Sequence, residues 1–512
     1  VSATPVNGAI VADPDPLFTS QWHLNNTSFP GEDINVAPVW AACGTGVTCR
    51  GEGIRIAVVD DGLEIKHEDL AANVATGLSY NYTNGSSNPT GGEHGTSVAG
   101  VLAARDLNDL GVRGVAPRAN LVGYNLIATL ATSTSSNTAD SAIRGSPYVH
   151  ISNNSWGPTD GQGTLDRSDS LWNTAIASGL VNGRNGLGTI YLWAGGNGAV
   201  NNISDPSSPY YCPTCVDNSN YDGYANHHGV IAVCAVGENG QAAAYSEPGA
   251  NLLLCAPSSD GVREITTTDR SGTLGYNPSG TPDYPDRNYT NTFGGTSSAT
   301  PTVAGVVALM LQANSTLGWR DVRQILAQTA RQNHATDTGW TNNRAGLPVH
   351  HRYGFGVVDA AAAVAAANSW ANLGSEFSYT SAVTTIASPS TASPDINATA
   401  ITSTLTVPVS PNGINIIEFV EVTFSASHAH SGDLEVSLTG PGTPGTQSVL
   451  AVRHDCVDGV TSCSAYNSWV FSSVRYLNEA ADGDWTLTVK DLATGTTGTF
   501  QSWRLKIYGR TS

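Results

Sequence analysis

Lysine is almost missing from this chain: 512 residues hold only three, Lys66, Lys490 and Lys506. Asp and Glu outnumber Lys and Arg by 42 to 23, which leaves a formal net charge of −19. Such a surface repels polyanions, and nucleic-acid binding is excluded on that ground. It favours cations instead, although surface acid also serves plain solubility. No run of 18 apolar residues occurs, so no membrane-spanning helix is expected. Internal repeats are absent. The chain starts at Val1 without an initiator Met or a signal-peptide pattern, which reads as a processed or trimmed form. At this length one hydrophobic core does not suffice, and two or more domains are expected.

Cysteine is sparse too, but the eight residues are not scattered. They fall in four sequence-local pairs: Cys43 with Cys49, Cys212 with Cys215, Cys234 with Cys255, and Cys456 with Cys463. An even count at such spacings implies disulfides and an oxidising, extracellular compartment. Cys212-Pro-Thr-Cys215 also reads as half a zinc site, but no second Cys-x-x-Cys or nearby His pair completes it.

Residues 1–370 alternate short apolar runs, such as Ile54–Asp60, Val149–Asn153, Thr189–Ala194 and Val230–Ala235, with helical patterns at Thr96–Ala104, Ser168–Asn182, Ser298–Ala313 and Val357–Ala367. Runs apolar on both faces belong to a parallel sheet covered by helices on both sides, a doubly wound α/β domain. From about Ser375 helical periodicity stops. Asn415–Phe424, Asp433–Thr439, Trp485–Asp491 and Trp503–Tyr508 alternate as antiparallel strands do, and residues 371–512 read as an all-β sandwich. The stretch 388–394, rich in Ser and Pro, reads as a loop near its start.

Three segments carry chemistry. Asp60 ends an apolar strand in AVVDDG, His94 opens a helix in HGTSVAG, and Ser297 opens another in FGGTSSATP. Acyl transfer needs a hydroxyl nucleophile, an imidazole to take its proton and an acid to fix the imidazole tautomer. Strand ends and helix starts along one edge of a parallel sheet are where such groups converge. Singly, each has a bland reading: a strand-end Asp is a cap and a His-Gly pair is a turn. Together, in the order Asp, His, Ser, the contexts resemble the three signatures of the subtilases, DDG, HGTxxAG and GTSxAxP. The resemblance implies that Asn197, in WAGGNGAV, donates to the oxyanion.

Within the subtilases the chain is most similar to the kexin/furin group of processing proteases. The similarity rests on SQWHLNN, DDGLEIKHEDL, SWGPTDGQGTLD, DGYANHHGVIAV, YSEPGAN and RYGFGVVDA, and in the tail on HSGDLEVSLTGPGT, WVFSSV, GDWTLTVKD and WRLKIYG, which resemble that group's P domain. It implies a subtilisin-like fold followed by a stabilising β-sandwich. It implies an S1 pocket floored by Asp160 and Asp222 and walled by Ser155, Trp156, Gly157 and Pro158, with the wall pairing to substrate backbone. Two carboxylates there require an Arg or Lys before the scissile bond. Asp61 corresponds to the acid that reads a basic P2 residue, or is a solvated turn residue. Asp166 corresponds to an acid of the outer S4 region. The chain departs from furin at S4, where AIRGS places Ile143 and Arg144 and an arginine would repel a basic P4. It departs also before the catalytic His, where an acid is replaced by Gly, with Glu93 adjacent. Dibasic selectivity is therefore expected, without a strict four-residue motif.

The same resemblance implies Ca²⁺ at two or more sites. One comprises Asp15, Asp69 and Asn108 with carbonyls of Arg105, Leu110 and Val112; another comprises Asp160, Asp217 and Glu247. A third family site is lost, because residues 81–90 carry Asn, Ser and Gly in place of its acids. A secreted monomer acting on proteins and peptides is expected, matured with an inhibitory propeptide or a chaperone. Two other functions remain at this level: a broad degradative protease, and a non-catalytic binding protein.

Overall fold

The computed structural model describes residues 15–43, 49–89, 91–199, 217–281, 283–386, 400–428, 430–454, 465–492 and 498–511. The expected loop at 388–394 lies outside them. So do two of the four expected disulfides, the one between Cys212 and Cys215 and the one between Cys456 and Cys463.

Strands that are apolar along their whole length are stable only when both faces are covered. Six strands, apolar for most of their length except β3 (Ile-Ser-Asn-Asn), form one parallel sheet: β1 (Arg55–Val59), β2 (Asn120–Tyr124), β3 (Ile151–Asn154), β4 (Ile190–Ala194), β5 (Val230–Val236) and β6 (Leu252–Pro257), in the order β2-β1-β3-β4-β5-β6. Every residue of β3 through β6 is buried. Seven α-helices are present among the described residues: α1 (Ala37–Ala42), α2 (Glu93–Ala103), α3 (Ser135–Ile143), α4 (Ser170–Asn182), α5 (Thr296–Ala313), α6 (Trp319–Thr329) and α7 (Ala360–Asn368). A large apolar cluster joins α2, α5, α6 and α7 to one face of the sheet, and Trp172 and Ile176 of α4 pack with Tyr191 and Trp193 on the other. Two short antiparallel pairs, β7 (Ile265–Thr268) with β8 (Tyr289–Phe293) and β9 (Thr341–Asn342) with β10 (Pro348–Val349), stand apart from the main sheet. Of the expected disulfides that fall on described residues, both are formed: Cys234 and Cys255 are register partners on β5 and β6 and bond each other, and Cys43 bonds Cys49.

The chain leaves β1 toward β2 on one side and returns to β3 on the other. This reversal opens a crevice at the carboxyl ends of β1 and β3, where α/β sheets place their ligands.

The C-terminal region is two antiparallel sheets. One has the order β11-β19-β14-β17, from β11 (Phe377–Thr380), β14 (Ile416–His428), β17 (Tyr466–Ser473) and β19 (Gly498–Arg510), with β12 (Thr384–Thr385) also paired to β19. The other has the order β13-β18-β15-β16, from β13 (Ile401–Val407), β15 (Leu434–Gly442), β16 (Gly445–Ala451) and β18 (Gly483–Asp491). Alternate residues of β14 and β18 point inward, as period-two patterning requires, and Phe424, Phe471, Trp485, Leu487 and Trp503 fill the space between the sheets. The two cores are not separate. Phe419, Val474 and Leu477 of the sandwich join the α/β core, and Tyr221 and Ala250 join the sandwich core.

Candidate active site

Asp60 follows β1 directly and is wholly buried. Across from it α2 begins at Glu93, so His94 sits in the first helical turn. The helix comes this close because residue 95 is glycine: a Cβ there would lie 2.0 Å from the Gly62 carbonyl and 2.9 Å from Asp60 Cβ. His94 Nδ1 donates to Asp60 Oδ1 at 2.8 Å. Burial works against protonation of the ring, yet the charge and hydrogen bond of Asp60 outweigh it and raise the His94 pKa to about 9. A quarter of the imidazole remains exposed, and its face packs 5.4 Å from the Phe293 ring, at the end of β8.

Four residues after Phe293 comes Ser297, second residue of α5. The turn into this helix passes through Gly295 at φ +73°, a conformation suited to glycine. Pro301 inside α5 cannot donate to the Ser297 carbonyl four residues back. Ser155 takes over that duty: its hydroxyl donates to Ser297 O at 3.0 Å and is itself held by Asn153 Nδ2 at 3.0 Å. The Ser297 hydroxyl in turn donates to Ser155 O at 3.2 Å and makes no hydrogen bond to His94. The imidazole–carboxylate pair is thus assembled, while the Ser297 hydroxyl rests on the Ser155 carbonyl. Nucleophile–base contacts of this kind are often loose without substrate.

Asn197 lies beside this turn. Its side-chain oxygen accepts from Thr296 N at 2.8 Å and Thr296 Oγ1 at 2.9 Å, so the amide NH₂ end faces the cleft, with a long 3.4 Å contact to Asp160. Thr296, unremarked in the sequence, is what orients it.

A cleft of about 230 Å³ opens from Ser297. Its lining joins Ser155, Trp156, Gly157, Pro158, Asp160, Asp166, Asn197, Asp217, Asp222 and Glu247, so residues more than ninety positions apart in sequence converge as anticipated. Thr164, Asn218 and Tyr221 also line it, and nothing in their local sequence marks them. Asp222 enters through an isolated bridge to Asp166, and Gly157 leaves room for its carboxylate, 3.2 Å from where a Cβ would stand. Loss of water around Asp222 pushes its pKa up to about 7, with the Asp166 and Asp160 charges adding to it. Burial likewise pushes Asp217 up to about 6 and Glu247 well above the carboxylate range. These groups repel one another and invite a cation. Each is partly satisfied by the protein: Asp166 accepts from Thr164 Oγ1 at 2.8 Å, Asp222 from Tyr224 N at 2.7 Å, Asp217 from Gly161 N at 3.0 Å, Glu247 from Gly198 N at 2.9 Å and Asp160 from Asn197 N at 2.9 Å.

Asp61 lies outside this cleft. Its carboxylate caps α2, accepting from Gly95 N at 2.8 Å and His94 N at 3.3 Å, so it is neither a solvated turn residue nor free of protein partners. Burial and the adjacent Asp60 charge push it up to about 7. Arg144 does not stand as a free charge: it pairs with Asp140 at 2.5 Å and lies over the Tyr80 ring. The repulsion expected of it is largely neutralised.

Among the described residues, no group of three or more His, Cys, Asp or Glu side chains is arranged to hold a metal. The oxygen chemistry of the two expected sets still suits a hard cation. Asp69 is wholly buried, and burial pushes it up to about 7 although it accepts from Asn108 Nδ2 and Val112 N. Asp15 accepts from Leu107 N and Asn108 N, Leu110 N donates to Asn108, and Arg105 N donates to the Asp69 carbonyl, so loop 105–112 wraps both acids. Asp160, Asp217 and Glu247 share the cleft just described.

Comparison with known proteins agrees with this arrangement. The Subtilase family profile matches residues 51–356 and the Proprotein convertase P-domain profile matches residues 417–507. Human proprotein convertase subtilisin/kexin type 7 is 32% identical over 97% of this chain and 60% of its own length, and kexin of Saccharomyces cerevisiae is 31% identical over 97% and 56%. The chain thus spans about three fifths of the length of the curated relatives it matches. The crystal structure of the serine protease of Aeromonas sobria superposes with a TM-score of 0.85 at 25% identity, covering 99% of both chains. Its complex with the chaperone ORF2 matches at 0.84, covering 98% of this chain and 96% of that one. The chain belongs to the subtilase family: it has a subtilisin-like fold followed by a match to the Proprotein convertase P-domain, and it is similar over nearly its whole length to kexin, furin and the proprotein convertases.

Proposed function

We propose that this protein is a secreted endopeptidase that cuts after Arg or Lys, at dibasic sites, through an acyl-enzyme. In this reading the Ser297 hydroxyl attacks the scissile carbonyl and His94 takes its proton, later giving it to the leaving amine. Asp60 holds the imidazole in the competent tautomer and stabilises the imidazolium. Asn197 donates to the oxyanion, supported by its Thr296 anchor. The observation that carries basic specificity is the cleft itself, in which Asp160, Asp166, Asp217, Asp222 and Glu247 meet within reach of Ser297. A guanidinium entering there donates charge-assisted hydrogen bonds to carboxylates that have no cationic partner among the described residues.

Ca²⁺ bound by Asp15, Asp69 and Asn108, and by Asp160, Asp217 and Glu247, would neutralise buried acid and tie loops together. Residues 1–370 serve as the catalytic unit and 371–512 as the P domain. Because the A. sobria protease was crystallised with a chaperone, a maturation chaperone or inhibitory propeptide is a fitting partner here as well. Two disulfides support an oxidising compartment.

Cleavage-site profiling on a randomised peptide library tests this. Arg or Lys should dominate P1, with enrichment of basic residues at P2. Equal cutting after Leu, Phe and Arg would leave a broad degradative subtilase. No cutting, with no fluorophosphonate labelling of Ser297, would leave a binding protein.

A further inference from the structure

The segment that carries Asp222 is gripped from the sandwich. Asn220 clasps one residue of β17 at two points: its Nδ2 donates to Ser472 O and its Oδ1 accepts from Ser472 N, both at 2.9 Å. The Asn220 carbonyl accepts from Trp469 Nε1 at 3.2 Å and from Asn226 Nδ2 at 3.0 Å, and Asn226 also donates to Val470 O at 2.9 Å. β17 is the edge of its sheet, so the outward groups of Val470 and Ser472 would otherwise go unpaired. The loop that bears the pocket acid completes that edge.

A second grip comes from His454, just beyond β16. The Tyr221 ring is buried in the sandwich core, 4.3 Å from the His454 ring, with its hydroxyl 2.9 Å from His454 Nδ1 and 3.1 Å from Val452 O. The Gly163 backbone comes close enough to the same imidazole to bear on its protonation. Gly163 N donates to Asp217 Oδ2 at 3.2 Å, and Asp166 N donates to Tyr221 O at 2.9 Å. One buried side chain of the sandwich therefore touches both loops that wall the cleft, 160–166 and 217–223. Asp222 stands between Tyr221, so held, and Gly223, whose N–H bonds the Asp166 carbonyl at 2.7 Å.

We propose that the sandwich builds the P1 pocket: Asn220, Tyr221 and His454 are positioning residues that aim Asp222 and its neighbouring acids at the substrate's basic side chain. This rests on the reading of the cleft as the Arg/Lys pocket. The physical reason is that charge-assisted hydrogen bonds need their acceptors held to a fraction of an ångström, and surface loops seldom hold that precision alone. Burial keeps the His454 ring neutral, its pKa lowered to about 4, so the grip persists across the pH range of activity.

The test compares His454→Ala, His454→Gln and Asn220→Asp with the parent on paired peptides differing only at P1, Arg against Leu. Fluorophosphonate labelling of Ser297 and thermal unfolding run alongside. The Arg-over-Leu ratio of kcat/KM should fall about tenfold or more in His454→Ala, chiefly through KM, with labelling within about twofold of the parent. His454→Gln, which keeps a donor and an acceptor, should recover part of the ratio. Should His454→Ala fail to fold, Asn220→Asp, which replaces the donor to Ser472 O by an acceptor that repels that carbonyl, carries the comparison. A parent that prefers Arg beside variants that keep the full preference overturns the proposal and leaves the pocket reading intact. Parallel loss of labelling and Arg cleavage reduces the contact to bulk stability and also overturns it. A parent without Arg preference removes the pocket reading first, and the proposal with it.

Discussion

Two buried acidic regions lie on either side of Ser297, and they are not alike. At one, Asp60 has its cation-capable partner built in, an imidazole 2.8 Å away. At the other, Asp217, Asp222 and Glu247 face one another, and burial raises the pKa of each. The first region is complete without a guest. The second has no cationic partner among the described residues, and in the proposed reading an arginine side chain or a divalent ion supplies one. On that reading the difference separates machinery for chemistry from machinery for selection, and each can be perturbed without the other.

The largest effect should come from the chemical side. Ser297→Ala should lower kcat by on the order of 10⁴-fold or more with an unchanged melting curve. Residual activity within tenfold of the parent would mean the nucleophile is elsewhere. On the selective side, Asp222→Asn keeps the shape and removes one charge. Its kcat/KM on a Lys-Arg peptide should fall by about 10²-fold, the scale of one charged hydrogen bond, while fluorophosphonate labelling persists. If labelling fell equally, the two regions would not be separable.

The pH profile sharpens the contrast. His94 acts as a base only when neutral, and its pKa is raised to about 9, so kcat/KM should rise with pH by about tenfold per unit below that value. Asp222 attracts Arg only when ionised, and its pKa is raised to about 7. Arg substrates should therefore show a second, steeper limb below about pH 7 that Leu substrates lack and that Asp222→Asn abolishes. Identical profiles for both substrates would remove Asp222 from P1 recognition. The smallest effect is thermal. Calcium that binds only the folded chain should stabilise it by about 2.7 kcal/mol at a hundredfold excess over Kd, so exhaustive chelation should lower Tm by a few degrees. An unchanged curve would leave the two carboxylate sets without a cation role.

Much of this was legible in the chain. Asp60, His94, Asn197 and Ser297 sit in short contexts where strand end, helix start and glycine turn are each specified by neighbouring residues. The alternation in β14 and β18 and the solid apolar runs of β4 through β6 announced two kinds of sheet, because burial on one face or on both leaves different periods. Element ends moved by a residue or several, most at β19, expected from Trp503 and found from Gly498; α7, expected from Val357, begins at Ala360 with Asp359 as its cap. The outer pocket was less legible. That Asp61, expected to read P2, also caps α2, and that Arg144, expected to repel a basic P4, is paired with Asp140, leaves no mark in the local sequence.

What the sequence determined by itself was the list of candidate reacting groups and the class of each sheet, since both rest on contacts within a few residues. Only the tertiary structure decided how those groups are aimed. Thr296 orients the Asn197 amide across 99 positions, the Ser155 hydroxyl replaces the donor that Pro301 lacks across 142, and Ser472 clasps Asn220 across 252. A hydrogen bond between distant segments leaves no local pattern in either one, because its partner is chosen by the fold and not by the neighbours in the chain.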